Sequence, residues 1–306
     1  MTKPPPITPF GPAILPGGRS RVAEPLRRRV EAAVIGLTSG AGAPRLNFLE
    51  PKGDPGLFGP DSVAWRVHAD FTIMIVGGVS ALLQQMLHPL ALAGVWDHSN
   101  FRDDILGRLR RTSAFVGGTD AEMLIARVRG IHARVAGTAP DGRAYAASEP
   151  ALLTWVHVAE HSSFLRSYQR YAPRSLLPAE VDRYYTETAV VAEMLGAAGV
   201  PKSAAAVADY LERMRPQLEY GERVREVRRI LMHAPAPSLA IKPFSRLFLH
   251  AGEQLLPDWA LAMMGTRPLP APRRLALDAS VRAVAPTFRW ALRNGAAARA
   301  RLRTRG

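Results

Sequence analysis

From Phe71 to Trp96 the chain runs for 26 residues without a single Asp, Glu, Lys or Arg. A stretch of that length and composition either crosses a bilayer or forms a helix that is apolar all round and buried at the centre of a domain. Its details favour burial. Gln84, Gln85 and His88 are polar, Pro89 interrupts the helix, and Gly77-Gly78 suits a close approach of another backbone. The expectation is a central helix with the others packed around it, and 47% apolar residues are ample for such a core.

The rest of the chain reads as helices joined by Pro- and Gly-rich breaks, with no strand-rich run and no Gly-rich phosphate loop. The fold class expected is all-α, a single multi-helix domain. Residues 1–18 form a Pro/Gly-rich arm without the apolar segment of a secretory signal, 19–265 the helical domain, and 266–306 a basic helical tail. Within the domain, Asp61-Ser62 starts a helix carrying Trp65, Arg66 and His68. Asp97-His98-Ser99 reads as a turn whose Asp97 caps the next helix, and His88 as bonding a carbonyl freed at the Pro89 break. Ser148 starts a long helix reaching Tyr171. Further helices follow at 178–198 and 203–218, separated by Gly199-Val200-Pro201, at Glu222–Met232, and at Ile241–Met264 with a break at Pro257.

No cysteine is present, so disulfides, iron–sulfur clusters and thiolate-bound haem are excluded and histidine becomes the natural ligand for any metal. The segment Phe101–Gly137 reads as a helix hairpin, turning at Gly117-Gly118 and restarting at Thr119 with Glu122 three residues on. Arg108, Arg111 and Thr112 share a face of its first helix, and Arg129 and His132 a face of its second. An imidazole facing guanidiniums would suit haem, whose propionates are anionic. The same spacing equally describes solvated arginines and a packed histidine, and spacing alone leaves both open. Further on, His157-x-x-Glu160-His161 has the H-x-x-E-H pattern of a zinc-dependent hydrolase, although no third ligand is marked. The residues themselves also admit a haem carrier without turnover, or a helical scaffold.

An ordered run of motifs narrows the choice. GDPGLFGPDSVAWRVHAD (Gly53–Asp70), LLQQMLHPLALAGVWDHSNF (Leu82–Phe101), RLRRT (Arg108–Thr112), IHARVAGTAPDGRAY (Ile131–Tyr145) and LLTWVHVAEHSSFLRSYQRY (Leu152–Tyr171) together resemble the catalytic domain shared by MpaB-type oxygenases and bacterial rubber oxygenases, or latex clearing proteins (DUF2236), over about residues 45–265. The resemblance implies a globin-like core with additional helices and a bound haem b. It implies His132 as the proximal iron ligand and Arg108 and Arg129 beside the propionates. Arg111 and Thr112 would border the distal side, with His157 in a distal or supporting role and His161 at the surface. Arg111 stands where rubber oxygenases carry a lysine able to cap the iron, and a guanidinium, always protonated, cannot do so. Ala136 stands where an arginine is expected, and Leu92 falls near the family's proposed catalytic glutamate. The activity implied is an oxygenase taking O2 and an apolar, isoprenoid- or lipid-like substrate.

The 266–306 segment holds ten arginines against one acid, Asp278, and so carries +9 of the chain's +14. Val281, Val284, Phe288, Trp290 and Leu292 are interleaved with them, a pattern suited to an anionic membrane surface or an acidic partner. No nucleic-acid-binding signature accompanies the charge, and nucleic acid is not expected as a partner. The expected location is cytoplasmic, at the inner face of a membrane.

Overall fold

The uncharged stretch folds as two helices rather than one. In the computed structural model, which describes residues 24–25, 27–28, 31, 52–59, 61–99, 101, 121–236, 238–239, 241–292, 299 and 302–304, helix α1 spans Val63–His68, α2 Phe71–Gln85 and α3 Pro89–His98. Ser62 caps α1 by accepting from the Trp65 amide at 3.1 Å, and Asp70 caps α2 from Ile73 at 3.1 Å. Pro89 sits in the first turn of α3, where its missing N–H costs nothing, and the chain bends by 106° between α2 and α3. Among the described residues no single helix is long and apolar enough to cross a membrane; α2 and α3 reach that length and composition only as this bent pair.

Helix α4 (Ala121–His132) leads into a small antiparallel hairpin, β1 (Ala136–Thr138) paired with β2 (Ala144–Ala146), Gly137 opposite Tyr145. Then come α5 (Pro150–Tyr171), α6 (Pro178–Leu195), α7 (Ala204–Met214), α8 (Glu222–Met232), α9 (Lys242–Glu253), α10 (Asp258–Met263) and α11 (Ala271–Ala291). Glu149, rather than Ser148, occupies the N-cap of α5. Gly196 ends α6 at φ 106°, a left-handed stop that a side chain would strain.

Helix α2 is central, as its composition requires. It runs antiparallel to α5: Ser167 donates to the Ile73 carbonyl at 2.8 Å near one end, and Trp155 Nε1 to the Gln85 carbonyl at 3.0 Å near the other. A Cβ on Gly77 would lie 2.8 Å from Phe164 Cδ1 and 3.0 Å from its Cα, and one on Gly252 of α9 would lie 2.5 Å from Val79. Both neighbours of α2 therefore come closer than any side chain would allow. One half of the core joins Ile73 and Val76 to Phe164, Phe248, Val281 and Phe288; the other joins Leu82, Leu83 and Met86 to Trp155, Val227, Leu231 and Leu261. Val281 and Phe288, which the sequence pattern offers to a membrane, are thus core residues, while Trp290 on the same helix is exposed. Helix α8, mixed in charge, still buries Val224, Val227 and Leu231 along one stripe.

Candidate functional site

Arg129 and His132 sit on the last turn of α4, which packs against α6 and buries Ile125. Arg129 is exposed; His132 is half-buried, with its Nδ1 enclosed. The helix stops at His132 because the chain turns there: the Val135 amide bonds the His132 carbonyl at 3.1 Å, and β1 follows. The hairpin then docks on α3. Tyr145 donates to Asp97 at 2.7 Å, and His98 Nε2 meets the Ala136 carbonyl at 3.2 Å. Asp97 thus lies within the last turn of α3 and ties it to the hairpin. Arg108, Arg111 and Thr112 lie outside the described residues.

A second group of nitrogens is enclosed where α1, α5 and α6 meet. His157 is buried, and its ring stacks on His161 one turn later, centroids 4.1 Å apart and planes inclined by 30°. His161 Nδ1 lies 3.0 Å from the His157 carbonyl; a carbonyl only accepts, so Nδ1 carries the proton. His68 of α1 approaches His161 at 5.7 Å between centroids, and its Nε2 bonds the Tyr184 hydroxyl at 3.0 Å. Phe164 closes the cluster with its ring edge-on to His68 at 4.9 Å.

Burial sets the charge of this cluster. It holds the imidazoles of His68 and His157 well below the ordinary histidine value, with the neighbouring His161 adding to the effect, and lowers His161 to about 4. It also pushes the Tyr184 phenol up. At neutral pH the cluster is three uncharged imidazoles and a phenol. His157 Nε2 and His68 Nδ1 are enclosed without a hydrogen-bond partner among the described residues.

These contacts correct three readings made from the sequence. His161 belongs to an enclosed cluster, not to the surface, because α5 is surrounded on nearly every side. His88 caps nothing through its side chain; its ring lies 6.0 Å from that of Trp155, and its Nδ1 is buried without a partner among the described residues. The H-x-x-E-H pattern does not make a zinc site: the two rings stack on each other, and no group of three or more potential ligands forms among the described residues. His68 and Tyr184, in turn, carry no signal in the sequence, since nothing in their spacing announces that segments 116 residues apart meet.

A family model described as ER-bound oxygenase mpaB/B'/Rubber oxygenase, catalytic domain, matches residues 65–290, from within α1 to the end of α11. The chain belongs to that family. No curated protein and no solved structure matches it. Membership in the mpaB/rubber oxygenase family supports an oxygenase-type activity, an oxidoreductase acting on a small molecule with O2. The match takes in both groups of residues just described, the α4 turn with His132 and the imidazole cluster of α5.

Proposed function

We propose that the chain is a haem b-dependent oxygenase acting on an apolar, isoprenoid- or lipid-like substrate, with His132 as the proximal iron ligand. The observation that carries the reading is the family match across residues 65–290, which includes Arg129-x-x-His132. The donor set fits the cofactor. Without a thiol in the chain, histidine is the natural ligand for haem iron, and His132 sits at a helix end with its Nδ1 enclosed. His157 adds a neutral imidazole whose buried Nε2 has no partner among the described residues, the kind of leftover polar atom that a bound group satisfies.

Haem b, when bound, supplies the iron at which O2 is activated. The chain's own residues would do the rest. His132 would hold the cofactor, and Arg129 with Arg108 would neutralise its propionates. Arg111 and Thr112 would border the opposite side. His157, kept neutral by burial, would offer Nε2 as donor or acceptor according to its tautomer. The apolar faces of α2 and α5 would exclude water, leaving a greasy substrate favoured over a polar one. The exposed arginines and Trp290 of α11 would lie against an anionic membrane, the phase in which such a substrate dissolves, at the cytoplasmic face.

The cofactor test is a pyridine haemochrome assay on protein supplied with haemin, where about one b-type haem per chain is expected. Protein that takes up none rejects the cofactor. Oxygen uptake that rises on addition of squalene supports turnover. Haem without such uptake leaves a carrier and rejects the oxygenase.

A further inference from the structure

Beyond the imidazole cluster, the same helix α5 carries Arg166 and Arg170 into a cleft of about 230 Å³ formed with the α9–α10 connection and the start of α11. Arg166 lies nine positions beyond His157, about 14 Å along the helix axis. None of the cleft residues takes part in the proposed haem site, so a ligand in the cleft is independent of the cofactor.

Arg170 is matched: its Nε donates to Asp278 at 2.8 Å and its Nη1 to the Gln254 carbonyl at 3.3 Å. Arg166 is not. Its Nη2 donates to Gln84 Oε1 at 2.5 Å and to Ser163 Oγ at 2.9 Å, both neutral groups, and no carboxylate pairs with it among the described residues. Its Nε and the Nη2 of Arg170 are enclosed without an acceptor among the described residues. A guanidinium cannot shed its charge to escape this, as an imidazole can. Burial lowers Arg166 only to about 10, so it remains a cation at neutral pH.

The lining indicates what kind of ligand the cleft suits. Arg166, Arg170 and Arg274 stand against Asp258 in the cleft and Asp278 behind it, which leaves one positive charge in excess. A single negative charge balances the site, and Asp258 opposes a second. The guanidiniums of Arg166 and Arg170 both line the cleft, and a guanidinium's planar fork of N–H groups suits the two oxygens of a carboxylate. Leu255, Leu261 and Leu269 supply an apolar wall, and exposed Arg274 and Asp258 mark the open side. The volume is that of about eight water molecules, room for a carboxylate and a short aliphatic chain.

We propose that this cleft binds an amphipathic monocarboxylate, its head group between Arg166 and Arg170 and its chain against the leucines.

Isothermal titration of the full chain with hexanoate tests the site, with 1-hexanol and inorganic phosphate as comparison ligands. Hexanoate is expected to bind and the other two not. Arg166→Met is expected to weaken hexanoate about tenfold or more, the loss of a charged hydrogen bond, while unfolding no earlier than wild type in the absence of ligand, because it removes an uncompensated buried cation. Arg274→Gln, at the exposed rim, guards against a folding failure of the first variant and is expected to weaken hexanoate by about twofold to fivefold. Hexanoate that fails to bind wild type overturns the site, as does equal binding to wild type and both variants. Phosphate or hexanol binding as well as hexanoate overturns the assignment to a carboxylate.

Discussion

Helix α5 buries nitrogen in two places, and on different terms. Around His157 and His161 the buried groups are imidazoles, which stay enclosed by giving up their protons. Around Arg166 and Arg170 they are guanidiniums, which keep their charge and are held by Asp278 and by the neutral oxygens of Gln84 and Ser163. The contrast teaches where each region is vulnerable. The imidazole end tolerates the absence of ions and fails when protons are forced on it; the guanidinium end is indifferent to mild acid and answers to anions.

The largest expected effect separates the two directly. In the unfolded chain His161 titrates near 6.5 and in the folded chain near 4, so between those values the unfolded state binds more protons and stability falls as the pH drops. His161 alone is expected to cost about 3 kcal/mol between pH 7 and pH 4. His68 and His157, also held well below the ordinary histidine value, add to the loss. Urea denaturation at a series of pH values should show a plateau above about 6.5 and a steep decline below; a flat profile would break the contrast.

At the other end, Asp278→Asn removes the carboxylate that faces Arg170 and also accepts from Tyr171 at 3.1 Å. With side-chain exposures of 20% and 13% the pair is only partly shielded, and a loss of about 2 kcal/mol is expected, below the range for fully buried pairs. Hexanoate added to this variant should bind more tightly than to wild type, since the cleft then holds a larger positive excess. Between the two regions lies Gly77, pressed against Phe164. Gly77→Ala should cost about 1–2 kcal/mol by overpacking, measured by the same denaturation, with the acid dependence unchanged. The smallest effect belongs to Asp141→Ala at the hairpin tip, whose bond to Arg143 is solvent-exposed and whose loss should leave the midpoint where it was.

Much of the fold was legible because its breaks are local. Pro89, Pro257 and the Gly199–Pro201 stretch interrupt helices by backbone chemistry that needs no partner, and the uncharged run announced its own burial. The β-hairpin was not legible: strands of three residues are too short to show a period. The site was legible only as far as single helices allow. His157 and His161 share a helix and are visible as a pair, whereas their neutrality depends on His68 and Tyr184 arriving from α1 and α6. Arg166 and Arg170 carry no signal of their burial, since a helix surrounded by others has no polar face for periodicity to reveal. The first half of the Phe101–Gly137 hairpin lies outside the described residues, and with it Arg108, Arg111 and Thr112.

The assignment of iron to the end of α4 is tested most directly by one visible spectrum taken on three proteins supplied with haemin: wild type, His132→Ala and His157→Ala. A Soret band is expected in wild type, its loss in His132→Ala, and a retained but shifted band in His157→Ala. A band that survives in His132→Ala and vanishes in His157→Ala would contradict the assignment and move the ligand to helix α5.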